Sequence, residues 1–175
     1  VKTLIDKMGG TIDIQSEPDV GTTFTVSLPF EIASVEDVHT LTDDGTKADI
    51  SGMKLLIVED NELNLEIAKY LLEDAGAVTD TAADGEQAVK KFTQSPEGTY
   101  DAILMDIMMP VMDGYAATKA IREYDRPDAK TIPIIAMTAN AFAEDVLKCK
   151  SAGMNDHLAK PLVLDTVMKT LAKYK

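Results

Sequence analysis

A chain of 175 residues, 45% of them hydrophobic, has room for one domain of ordinary size plus a smaller piece, and enough apolar side chains for a real core. Its formal net charge of −13 excludes nucleic acid as a natural partner, because phosphate backbones demand a basic footprint; divalent cations and basic protein surfaces are the expected company. No apolar run is long enough to cross a bilayer, no basic-then-apolar leader opens the chain, and the single Cys149 cannot form an internal disulfide, which together predict a cytoplasmic fragment without membrane contact.

In chain order, Val1, Leu4, Ile5 and Met8 mark the last turns of an amphipathic helix, and Gly9-Gly10 ends it. Ile12 and Ile14, then Phe24, Val26 and Leu28, alternate across a turn between Glu17 and Gly21, which predicts a hairpin. A lone helix and hairpin over residues 1–32 cannot cover their own apolar face, so this piece reads as the severed end of a larger domain. Residues 33–52 are rich in Asp, Glu and Thr with little apolar period and read as an acidic, solvated linker.

From residue 53 to 175, five short apolar runs alternate with amphipathic segments. Leu55-Leu56-Ile57-Val58 is the first strand; a helix over 61–75 follows, with Leu63, Ile67 and Leu71 at four-residue spacing and Gly76 as a left-handed stop. Residues 77–82 form a weak second strand, and Asp84 with Gln87 resembles a capping box opening a helix that turns Val89 and Phe92 inward. The third strand, 101–106, leads through a loop to Asp113-Gly114 and a helix keeping Ala117, Ile121 and Tyr124 on one side, after which Arg126-Pro127-Asp128 turns the chain. The fourth strand covers about 132–137, the fourth helix about 141–151, the fifth strand is short, and the last helix carries Val167, Met168 and Leu171.

Such alternation predicts an α/β fold: a three-layer, doubly wound, flavodoxin-like parallel sheet of five strands in the order 2-1-3-4-5. All strands then end on one edge, which gathers Glu59, Asp60, Asp106, Thr138 and Lys160 in a crevice where open sheets bind ligands. With strands one and three adjacent, three carboxylates cluster; two charges about 4 Å apart repel by roughly 4 kcal/mol at an effective dielectric near 20, so a cation is expected. Oxygen-only ligands suit Mg²⁺ with a phosphate group completing its shell. Taken singly, Asp60 or Asn61 serves equally well as a helix cap, and so does Thr138. Met105, Met108, Met109 and Met112 read as gap-fillers and binding surface, since a thioether is a poor partner for a hard cation, and Cys149 as a helix position without chemistry.

Four segments in order, Ile57-Val58-Glu59-Asp60-Asn61, the run from Met105-Asp106 through Met109-Pro110 to Asp113-Gly114, Met137-Thr138-Ala139-Asn140-Ala141 and Lys160-Pro161-Leu162, resemble the receiver domains of two-component response regulators. The resemblance implies that Asp106 accepts a phosphoryl group, that Glu59, Asp60 and Asp106 hold Mg²⁺ with the backbone carbonyl of Met108, that Thr138 is the switch hydroxyl and that Lys160 pairs with the phosphoryl group. His157 falls where that family usually carries Tyr or Phe, making it a second switch candidate. The chemistry agrees: an ionised aspartate attacks phosphorus without a general base once the repulsion between two anions is removed.

Gly9-Gly10-Thr11-Ile12-Asp13-Ile14 and Gly21-Thr22-Thr23-Phe24-Thr25-Val26 resemble the closing strands of a histidine-kinase ATPase domain. That family's ATP-binding boxes and phosphorylated-histidine segment are missing, so neither ATP binding nor autokinase activity is expected of these residues. The order of kinase tail, linker and receiver resembles a hybrid sensor histidine kinase, and implies a phosphohistidine donor domain, in cis or in trans, and a histidine phosphotransfer domain as partners. Two other readings stand beside it. A Mg²⁺-dependent aspartyl-phosphate-type phosphohydrolase would want an acid two residues after Asp106, where Met108 stands. An interaction module that has lost its phosphorylation would ignore a phosphoryl mimic.

Overall fold

A computed structural model describes residues 2–18, 21–29, 48–139 and 143–175. The stretch read as a linker lies outside them up to residue 47, as do Asn140 and Ala141. The chain divides into two compact units, Val1–Thr46 and Lys47–Lys175.

In the first unit, helix α1 (Lys2–Lys7) is followed by strands β1 (Thr11–Glu17) and β2 (Gly21–Ser27), paired antiparallel with Ile12 opposite Val26 and Ile14 opposite Phe24. Gly9, at φ 70°, supplies the left-handed turn out of the helix. Ile14, Phe24 and Val26 are all exposed.

The second unit alternates strands and helices, with one extra short helix: β3 (Lys54–Val58), α2 (Glu62–Asp74), β4 (Val78–Ala82), α3 (Gly85–Gln94), β5 (Ala102–Asp106), α4 (Gly114–Glu123), the short α5 (Pro127–Thr131), β6 (Ile134–Thr138), α6 (Ala143–Ala152), β7 (Asp156–Ala159) and α7 (Leu164–Leu171). The five strands are parallel in the order β4-β3-β5-β6-β7, the doubly wound order expected from the sequence. Side chains alternate across the sheet, so the core has two halves. Leu56, Val58, Ile103, Met105, Ile134 and Ala136 pack against Ala88 and Phe92 of α3 and Ala117 and Ile121 of α4. Leu55, Ile57, Leu104, Ile135 and Met137 pack against Leu72 of α2 and Val167 and Leu171 of α7. Asn61, Asp84 and Asp113 cap α2, α3 and α4 through their side chains, which settles the choice at the first helix in favour of Asn61 over Asp60.

Three features differ from the sequence reading. Leu63 and Ile67 are 68% and 50% exposed, and α2 buries Ala68 and Leu72 instead. That helix carries apolar residues on two faces, and a 3.6-residue period cannot say which one meets the sheet. Where a turn was expected, Pro127 opens the five-residue α5, too short to display a period. Finally, Ile50 lies fully buried in the core beside Met53, so the second unit starts ahead of residue 53.

Away from the strand tips, Asp80 on β4 accepts hydrogen bonds from Lys91 Nζ (2.6 Å), the Tyr100 hydroxyl (2.6 Å) and the Thr81 N–H (2.8 Å). Burial opposes its charge, but these donors hold its carboxyl below the ordinary aspartate range; Asp128 and Asp156 are held low in the same way, by Arg126 and Lys173 respectively. Carboxylates with lowered folded-state pKa stabilise the protein above the unfolded value near 4 and lose that contribution as pH falls through the folded value. The melting temperature is therefore expected to hold from pH 7 to about 4.5 and then fall, and Asp80→Asn should flatten the fall; thermal melts across pH 2.5–7 check this.

Candidate functional site

Strand register places the polar residues. Val58 pairs with Met105, Asp106 with Met137, and Thr138 with Ala159, so Glu59-Asp60, Asp106, Thr138 and Lys160 reach the same edge of the sheet. Each neighbour is tied by backbone as well: the Glu59 N–H donates to the Ala82 carbonyl at 3.0 Å and the Lys160 N–H to the Thr138 carbonyl at 2.8 Å. The loop after β5 folds back so closely that a Cβ on Gly114 would stand 2.2 Å from the Asp106 carbonyl oxygen, which explains the Asp113-Gly114 pair: the aspartate caps α4 and the glycine admits the backbone.

Glu59 and Asp106 are buried, with 3% and 5% of their surface exposed, whereas Asp60 is open to solvent. One carboxylate oxygen from each lies within 4.8 Å of the others. The Lys160 ammonium bridges two of them, at 2.5 Å from Glu59 Oε2 and 2.8 Å from Asp106 Oδ2. Burial works against the charge of Lys160, but its hydrogen bonds to Asp106 and Glu59 outweigh this and raise its pKa above the ordinary lysine value. By formal count, three carboxylates and one ammonium leave two negative charges uncompensated. An all-oxygen cluster with that deficit, one member open to water, has the donor chemistry of a hydrated divalent cation such as Mg²⁺.

The remaining expected residues are placed as follows. Thr138 is half-buried at the tip of β6, one residue past the partner of Asp106. Met108 turns its side chain to solvent, 80% exposed, while its backbone N–H donates to Asp106 Oδ1 at 3.3 Å. His157 sits lower on β7, paired with Ala136, its Nδ1 3.8 Å from Asp156 Oδ1 and outside hydrogen-bond range. Of the methionines, Met105 and Met109 fill the core, and Cys149 is buried on α6. Sequence reasoning missed Asn64: its side-chain amide donates to Glu59 Oε1 at 3.0 Å. A polar residue one turn beyond a cap was the only signal.

Comparisons with known proteins agree with this geometry. The sequence pattern of the response regulator receiver domain matches residues 55–172. Sensor protein EvgS of Escherichia coli strain K12 is 38% identical over 177 residues, covering 97% of this chain and 14% of that protein. The receiver domain of sensor histidine kinase PA1611 from Pseudomonas aeruginosa, solved with a magnesium ion coordinated in its active-site cleft, is 41% identical at a TM-score of 0.63, covering 71% of this chain and 98% of that one. The receiver domain of Ssk1 from Saccharomyces cerevisiae, solved with the histidine phosphotransfer signalling protein Ypd1, is 30% identical at a TM-score of 0.63, over 71% and 89% of the two chains. The chain spans only 6 to 19% of the length of the histidine kinases that it resembles.

Proposed function

This chain belongs to the response regulator receiver family of phosphorelay signalling, and from that premise we propose that Asp106 takes a phosphoryl group from a phosphohistidine and passes it on or signals through altered protein contacts. The observation that carries the assignment is the Lys160 ammonium held between Glu59 and Asp106 with Asp60 in range. An Asp106 oxygen attacks phosphorus; the P–N bond breaks, its electron pair stays on the donor imidazole, and an acyl phosphate forms. Lys160 offsets the charge of the incoming group and is free to transfer its Asp106 bond to a phosphoryl oxygen. Glu59, Asp60 and Asp106 with the Met108 carbonyl would hold Mg²⁺, which would supply the rest of the positive charge that two anions need to meet. After transfer, the Thr138 hydroxyl donates to a new phosphoryl oxygen and draws the end of β6 with it, and His157 completes the switch pair in this reading.

A histidine phosphotransfer domain is the partner this surface suits. Leu63, Ile67 and Tyr70 stand exposed on α2, beside a cavity of about 360 Å³ lined by Ile67, Ala68, Pro161 and Leu162 and edged by Glu59 and Lys160. An apolar helix face next to the acceptor gives a docking partner its hold while its phosphohistidine is brought to Asp106. The first unit we read as the closing piece of a kinase ATPase domain, a reading supported by the EvgS similarity extending over nearly the whole chain. A hydrolase is disfavoured because the exposed Met108 offers a leaving group no proton.

Amide spectra recorded during titration with Mg²⁺ and then beryllofluoride test the assignment. Shifts are expected first at Glu59, Asp60 and Met108, and on adding the mimic at Thr138, His157 and Lys160. Unchanged spectra would leave an interaction module without phosphorylation.

A further inference from the structure

Glu59 is a buried carboxylate with both oxygens engaged, and the two donors differ in kind. Oε2 faces the Lys160 ammonium, a charged partner shared with Asp106. Oε1 accepts from the neutral Asn64 amide at 3.0 Å. An ammonium that bridges two acids is a competitor for any cation entering between them. When it withdraws, the Glu59 carboxylate keeps one side-chain hydrogen-bond partner among the described residues, Asn64, and a glutamate with three side-chain torsions has several other ways to lie.

The position of Asn64 is itself fixed from outside the site. Its backbone N–H donates to Asn61 Oδ1 at 3.1 Å, so the cap of α2 sets the first turn and thereby the Cβ from which the amide reaches Glu59. A neutral donor holds one oxygen without cancelling the charge of the other, which a lysine or arginine there would do.

Resting on the phosphoryl reading above, we propose that Asn64 is a positioning residue: its amide holds Glu59 with Oε2 turned toward Asp106, so that the acid cluster stays set for a divalent cation after Lys160 moves off. Hydrogen bonds that orient metal ligands change affinity by about 10–100-fold when removed, which sets the expected scale.

The test is a double-mutant cycle read by Mg²⁺ affinity, from amide shifts in metal-free protein titrated with the ion, with thermal melts in metal-free buffer alongside. N64A is expected to weaken Mg²⁺ binding about tenfold or more. In an E59D background, where the carboxylate is one methylene shorter and no longer meets the amide, the same substitution should cost less than about twofold. Equal losses in both backgrounds, or wild-type affinity in N64A while the wild type itself binds, would overturn this inference alone. A wild type that does not respond to Mg²⁺ at all overturns the phosphoryl reading and this inference with it.

Discussion

The Asp106→Asn protein is expected to take up no phosphoryl group from any donor while folding as the wild type does. An amide of the same shape fills the same buried space, since Asp106 is 5% exposed and hemmed in by Ile107, Met137 and the returning loop. Its oxygen carries no charge, however, and is a poor nucleophile toward phosphorus. Loss of a nucleophile costs about a million-fold where an enzyme acts through one, so labelling should vanish rather than decline. The substitution also removes one of three crowded charges and leaves Lys160 paired with Glu59, so the unfolding midpoint should stay level or rise. Incubation with a phosphohistidine donor, followed by counting the alkali- and hydroxylamine-labile label on the separated receiver, checks the first part, and a thermal melt the second. Label persisting on the variant would move the acceptor to another residue.

The Arg122→Met protein is expected to lose about 3–5 kcal/mol of stability and none of its phosphoryl chemistry. The guanidinium, half-buried at the opposite edge of the sheet, donates to the carbonyls of Gly153 (2.9 Å), Ala129 (2.9 Å) and Ile132 (2.8 Å) and to Asn155 Oδ1 (2.8 Å). Those carbonyls belong to the ends of α5 and α6, where helices leave acceptors without internal partners. Asn155 Oδ1 also accepts from the Ile134 N–H that opens β6, so one cation ties two helix ends to the start of two strands. Hydrogen bonds to a charged group contribute about 1.5–3 kcal/mol apiece but add poorly when they share a donor. Methionine preserves the packed stem and removes every donor. Urea denaturation measures the loss, and Arg122→Lys should recover only part of it, because an ammonium cannot reproduce a planar fork. A loss under about 1 kcal/mol would mean that water replaces the guanidinium at these carbonyls.

How much could be read beforehand follows from where the information lies. Strands were legible because Leu55 to Val58, Ile103 to Met105 and Ile134 to Met137 are continuous apolar runs, as a sheet buried on both faces requires, and their order followed one of the common doubly wound patterns. The gathering of Glu59, Asp60, Asp106 and Lys160 then followed from parallel topology alone, with no side-chain information needed. What failed to show was anything decided by tertiary contact. The outward turn of Leu63 and Ile67 depends on which of two apolar stripes meets the sheet. The burial of Ile50 depends on a core assembled from residues far along the chain. Asn64 and Arg122 owe their importance to what folds against them, and a lone polar residue on a helix carries no mark of its future partner.

The pairing of Lys175 Nζ with Asp49 Oδ2 at 2.8 Å has a consequence for architecture. It brings the segment ahead of β3 and the segment after α7 side by side on the surface. A fold whose two ends share one clasp can be spliced between neighbours as a self-contained cassette, because joining it in places no tension on the strands within.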